Sequence, residues 1–122
     1  MKLYKILSIE KLEEATRIVV SLNNEHEVYQ GHFPGMPILP GVLQVEMLKE
    51  LFEGILGKLL RLDSAKSIKH LNMIDPNTIK EVVFELKYKV QEGGWNLRAT
   101  ISDLKDDKPK IFMKFSGVFT EV

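Results

Sequence analysis

The chain reads as an α+β fold, an antiparallel sheet with one long helix covering one of its faces. Two observations carry this expectation. After residue 80, apolar and polar residues alternate with period two through three successive segments, as they do in half-buried strands. Ahead of that block, and after two shorter extended segments, lies one long stretch of helical periodicity, from Pro40-Gly41 to about Leu59. Strands, one helix and then more strands are the order expected when a helix lies on one face of an antiparallel sheet.

The elements follow in chain order. Leu3 to Ile9 and Thr16 to Leu22 both look extended, and the charged Glu10 to Glu14 between them suits the turn of a hairpin. In the helix, Val45, Leu48, Leu51, Phe52, Ile55, Leu56 and Leu59 fall in one broad stripe at 100° per residue, so that stripe is expected on the sheet. A polar segment, Arg61 to Lys66, leads to a further expected strand over Ser67 to Ile74. Then Val82, Phe84, Leu86, Tyr88 and Val90 alternate with polar neighbours, and Gln91-Glu92-Gly93-Gly94 supplies a turn. Trp95, Leu97, Ala99 and Ile101 form the next apolar face, and Ile111, Met113, Phe115 and Phe119 the last, completing an antiparallel meander.

Composition limits the function. The 122 residues match one compact domain, read here as spanning 1–122, with an ordinary 44% apolar and 28% charged content. Seventeen basic residues balance seventeen acidic ones, so no global positive field exists to collect nucleic acid. Without cysteine there is no disulfide, no thiolate metal site and no Cys nucleophile. The opening Met1 to Lys11 is too interrupted by charge for a signal peptide, and Val42 to Leu60 carries too many charges for a membrane span. A cytoplasmic protein is expected.

The unusual stretch is Gly31-His32-Phe33-Pro34-Gly35-Met36-Pro37-Ile38-Leu39-Pro40-Gly41-Val42-Leu43-Gln44-Val45-Glu46, which holds three of the five prolines. Each proline restricts its own φ and its predecessor, so the loop is stiff and gives His32 a set direction. It runs into a helix N-terminus, whose unpaired N–H groups stabilise developing negative charge. Gly41 would let a ligand come close to that backbone. His26 and His70 stand in no such context and are read as structural or solvated. Glu46 projects onto the same side as Lys49, Glu50 and Glu53, opposite the apolar stripe, which is how a solvated helix face looks. Only another subunit packing over that face would bury it.

These residues resemble the 3-hydroxyacyl-acyl-carrier-protein dehydratase family, whose signature G-H-F-P-G-x-P-x-x-P-G-V-L-x-x-E is present at every fixed position. The chain looks like a diverged, short member. The resemblance implies a hot-dog fold, in which the sheet wraps around one long central helix. It implies that carrier-bound 3-hydroxyacyl thioesters are dehydrated, with His32 as the base at the α-carbon and Glu46 as the acid at the β-hydroxyl. The N–H groups of Gly41 and Val42 would hold the thioester carbonyl. It further implies a homodimer, with a trimer of dimers as the next level of assembly, whose sites draw the histidine and the acid from different subunits. No metal and no organic cofactor are expected, because an acid, a base and backbone donors suffice. An acidic carrier protein would dock on local positive charge, for which Lys58, Arg61, Lys66 and Lys69 are the candidates.

Three departures from the family pattern bear on activity, the first being Met47 where a small residue is common. Glu50 stands where the family usually has glutamine, and His70-Leu71-Asn72-Met73-Ile74-Asp75-Pro76-Asn77 is a remnant of a second, Pro-Gly-Asp-ending signature. Two other readings remain open on the residues alone: a hot-dog acyl thioesterase, and an inactive acyl-binding subunit.

Overall fold

A computed structural model of the protein describes residues 2–30, 37–103 and 108–122. Six strands and one long helix occur in the order β1 (Tyr4–Lys11), β2 (Thr16–Leu22), α1 (Gly41–Leu56), β3 (Leu60–His70), β4 (Glu81–Gln91), β5 (Gly94–Ser102) and β6 (Ile111–Glu121), with a short 3-10 turn at Glu27–Tyr29. The strands form one sheet in the order β1-β2-β4-β5-β6-β3, and every neighbouring pair is antiparallel. The N-terminal hairpin and the C-terminal meander are those expected, and β2 joins them by pairing with β4.

Cross-strand partners share a face, so the alternation of each strand lines up into rows on the inner side of the sheet. Ile18, Phe84, Ile101 and Met113 are partners across four strands and are all buried. The next row, Thr16, Leu86, Ala99 and Phe115, is buried too. Helix α1 lies on these rows through Gln44, Met47, Leu48, Leu51 and Phe52. Phe52 anchors it, with ring centroids 5.2 Å from Tyr88 and 5.6 Å from Phe119. This is the hot-dog arrangement, one helix held in the concave face of a curled antiparallel sheet.

Four sequence expectations are corrected. The helix ends at Leu56 because Gly57 adopts a left-handed φ of 68° and donates its N–H to the Glu53 carbonyl, so Leu59 lies beyond the helix and is 71% exposed. The buried face is turned toward Gln44 and Met47, leaving Val45 half-buried. The polar Arg61 to Lys66 segment is itself strand, the first part of β3, and Ile74 lies outside it. Register shifts between Leu62 and Ser64 and between Ala65 and Ser67 break its alternation, which hid the strand from a period-two reading. In β6, Phe112 is as buried as Met113, because a shift in register at Ile101/Ser102 inserts one residue there.

Candidate active site

The segment before α1 is tied down by its backbone. Leu39 donates its N–H to the Ile74 carbonyl at 2.9 Å, and its own carbonyl accepts from Gln44 Nε2 at 3.0 Å. Pro40, the N-cap, offers no side-chain cap, and its carbonyl takes the N–H groups of Leu43 and Gln44. Among the described residues, no acceptor meets the N–H of Gly41 or Val42. Among the described residues, two donors at the positive end of a four-turn helix are therefore open, as an oxyanion site requires.

Gly41 has a neighbour the sequence did not disclose. A Cβ built there would lie 2.7 Å from Nε2 and 2.9 Å from Cε1 of His70, whose ring rests against this glycine. His70, read from sequence as structural or solvated, thus flanks the helix N-terminus from the end of β3. His26 is structural as expected: its Nδ1 accepts from the Val28 N–H at 3.0 Å and caps the 3-10 turn.

Glu46 lies on the side of α1 that faces β1 and opens into a cavity of about 690 Å³, where Leu3, Ile6, Val28, Leu43 and Met47 stand beside the charged Lys2, Lys5 and Glu50. Its carboxylate is half exposed and pairs with Lys49 Nζ at 3.3 Å. The neighbouring acids are not idle surface charges. Glu50 accepts a hydrogen bond from the Tyr4 hydroxyl at 2.8 Å, and Glu53 accepts from the Leu60 N–H at 2.8 Å at the start of β3. Burial above all, then the Glu50 hydrogen bond and the charges of Glu50, Glu46 and Glu53, push the Tyr4 phenol above its ordinary range. Burial likewise pushes Tyr29 up to about 12. The Tyr29 hydroxyl and Gln44 Oε1 are buried with no hydrogen-bond partner among the described residues.

His32 and the rest of Gly31–Met36 lie outside the described residues, so the structure brings together Gly41, Val42 and Glu46 on one helix without bearing on His32. The four basic candidates are all exposed, and Lys58 pairs with Glu121 at 3.5 Å. They are strung along the β3 edge rather than gathered. Lys69 adjoins His70 at the helix N-terminal end, whereas Arg61 sits at the other end of the strand, about 26 Å away at 3.3 Å per residue. Lys114, the cross-strand partner of Lys69, adds positive charge that the sequence reading left out. No group of His, Asp and Glu among the described residues is arranged to hold a metal ion.

A helix seated in a curled six-stranded sheet, with open N–H groups at its N-terminus, defines a hot-dog domain with its candidate site at the helix mouth. The sequence model of the ApeI-like family, described as ApeI dehydratase, matches residues 8–108, and the chain belongs to this family. A protein of Novosphingobium aromaticivorans named 3-hydroxyacyl-[acyl-carrier-protein] dehydratase FabZ is 32% identical over 88 residues, covering 64% of this chain and 55% of its own length. Its namesake from Clostridium acetobutylicum is 33% identical over 88 residues, with 62% of its length covered. The chain thus spans less than two thirds of these two relatives. A namesake from Acetivibrio thermocellus is 34% identical over 105 residues, covering 80% of this chain and 71% of the relative.

Two solved structures share the fold at low identity. The dehydratase heterocomplex ApeI:P of Xenorhabdus doucetiae contains a chain with a TM-score of 0.74 and 17% identity, matching 99% of this chain and 100% of that one. An uncharacterized protein of Erwinia carotovora has a TM-score of 0.72 and 20% identity, matching 99% and 98%.

Proposed function

We propose that this chain, as one domain, dehydrates carrier-bound 3-hydroxyacyl thioesters to trans-2-enoyl thioesters in fatty-acid or related lipid or polyketide synthesis. The observation that carries the reading is Glu46 opening into a cavity beside the helix whose N-terminal N–H groups at Gly41 and Val42 meet no acceptor among the described residues. The complete His32-to-Glu46 motif and the family of the chain support the same chemistry. His32 removes the α-proton while the carbonyl oxygen is held by the Gly41 and Val42 N–H groups. Glu46 gives its proton to the β-hydroxyl, the C–O bond breaks, water leaves and the Cα–Cβ double bond forms. For Glu46 to reach a substrate hydroxyl, its ion pair with Lys49 must open.

The working unit is read as a cytoplasmic homodimer with His32 and Glu46 supplied by different subunits. Its support is the long, exposed β3 edge, a strand whose outer hydrogen-bonding side meets no other strand among the described residues. The Xenorhabdus doucetiae neighbour, a dehydratase heterocomplex, points to the other outcome, two different chains across the interface. Among the described residues, no helix is long and apolar enough to cross a membrane.

The test is to incubate the purified protein with a 3-hydroxyacyl thioester and follow the conjugated enoyl product. Release of free thiol instead would mark a thioesterase, and binding without turnover an acyl-binding subunit. His32→Ala and Glu46→Gln should each lower turnover by about 10² or more. Mixing the two inactive variants under subunit exchange should return about a quarter of wild-type activity if each site uses both chains. No recovery despite exchange would overturn the shared site.

A further inference from the structure

We infer that His70 is a further member of the catalytic site, a side-chain donor that joins the Gly41 and Val42 N–H groups on the thioester carbonyl. The inference rests on the reading of those N–H groups as the place that receives this carbonyl. Its first support is the face on which the residue stands. His70 closes β3, and its cross-strand partner is Met113, fully buried in an inner row of the sheet. Cross-strand partners share a face, so His70 belongs to the concave side, where α1 lies, and is exposed at its rim. Lys69, one position earlier, points the other way with its own partner, Lys114.

The ring meets the helix with its Nε2 end. A Cβ built on Gly41 would lie 2.7 Å from Nε2, 2.9 Å from Cε1 and 3.1 Å from Cδ2, so Nδ1 is on the far side. In a helix the Cα–Cβ bond tilts toward the N-terminus, the end at which the unpaired N–H groups of the first turn are presented. With a Cα–Cβ bond of about 1.5 Å, Nε2 stands within about 4 Å of the Gly41 Cα, beside the open N–H groups. Among the described residues, neither ring nitrogen has a hydrogen-bond or ion-pair partner. Nδ1 is left to accept from water, and the proton on Nε2 is left for a ligand. A carbonyl oxygen set in this mouth would accept from Nε2–H as well as from the backbone.

Backbone hydrogen bonds hold this contact from both sides. The Leu71 N–H donates to the Phe112 carbonyl at 2.8 Å, and Asn72 Nδ2 donates to the Ile111 carbonyl at 2.8 Å, which fastens the chain after His70 to β6. The Ile74 carbonyl then accepts from the Leu39 N–H at 2.9 Å and ties the same segment to the chain entering α1. The two halves of the mouth are thus one connected piece. A donor placed in advance costs no reorganisation when negative charge develops on the oxygen. His70 also opens the His70–Asn77 segment, where the chain departs from the family's second signature, so its role comes from the geometry of this chain and not from the family pattern.

The experiment compares His70→Phe, which keeps a flat ring without a donor, with His70→Gln, which keeps an N–H donor, on the full chain with a 3-hydroxybutyryl pantetheine thioester. His70→Phe should lower kcat by about 10², the low end of what one oxyanion donor contributes, because water reaches this mouth. KM should change little, since the bond strengthens as charge develops on the oxygen. His70→Gln should recover most of the loss. Undiminished turnover in His70→Phe, a rise in KM alone, or a Gln variant no better than the Phe variant would overturn the donor and leave the dehydratase reading standing. His70→Ala stands in if His70→Phe does not fold. A second readout needs no turnover: the infrared C=O stretch of bound crotonyl pantetheine thioester should lie lower in wild type and His70→Gln than in His70→Phe, and equal frequencies would overturn the donor. If wild type turns over no 3-hydroxyacyl thioester, the dehydratase reading fails and this frequency decides alone. Failure of the crotonyl thioester to bind would overturn the donor as well.

Discussion

Tyr29→Phe should make the protein more stable, which is unusual for a change at a buried site. Tyr29 is 7% exposed, and its hydroxyl meets no partner among the described residues. A buried polar group without a hydrogen bond costs about 1–3 kcal/mol relative to water. Removing the oxygen ends that cost and leaves a gap smaller than a methyl group, so the net gain should be about 1 kcal/mol. In a domain of this size that is a rise of roughly 4 °C in Tm. The sign also shows in the pH dependence. Burial raises the folded-state value of Tyr29 to about 12, above the unfolded value near 10, so the neutral phenol is the form the fold favours. Its contribution is fully present below pH about 10 and is lost as pH rises through about 12. Tyr4 shifts in the same direction, so the quantity to compare is the difference between wild type and Tyr29→Phe along the alkaline limb of a urea-denaturation series. A loss of stability in Tyr29→Phe at neutral pH would mean that the hydroxyl has a partner, and the reasoning from an orphaned group would fall.

Gly41→Ala should displace the His70 ring, because the new methyl carbon needs the position 2.7 Å from Nε2. The ring belongs to an exposed residue and can swing aside, so stability should change by no more than about 1 kcal/mol. The check is the His70 ring resonances, which should shift in Gly41→Ala; unshifted resonances would refute the contact. Leu48→Ala, at a position with no exposure beneath the helix, should cost about 2–5 kcal/mol in urea denaturation. Exhaustive chelation should leave dehydration unaffected, and activity lost to chelation and restored by a divalent ion would disprove the metal-free site. Reversing the charge at Lys58, Arg61, Lys66 and Lys69 should slow turnover of carrier-bound substrate at low salt more than that of a pantetheine thioester; equal effects on both would remove carrier docking from this edge.

Much of the fold was legible because its signals are local. Period-two alternation from Val82 to Phe119 reports one buried face at a time, and the sheet carries that face in register across β4, β5 and β6. The helix was legible in its start and in most of its stripe, and the motif from Gly31 to Glu46 led to the family without any contact being known. What escaped has a common cause. β3 lost its alternation to two register shifts, and as an edge strand it is exposed along nearly its whole length, so its residues read as a polar connector.

The chemistry of the site divides in the same way. The residues of the loop were enough to expect a stiff approach to a helix N-terminus, whereas Val42 and Glu46 were named through the family resemblance that the motif carries, periodicity alone placing Glu46 on a solvated face. Only the tertiary structure decided that Glu46 opens into a cavity against β1, that Glu50 is held by a tyrosine 46 positions away, and that Gly41 lies beneath the ring of His70. Periodicity assigns a residue to a face of its own element. Which group meets that face depends on the strand order β1-β2-β4-β5-β6-β3, which places the hairpin and β3 at opposite edges of one sheet, and no local pattern encodes that order.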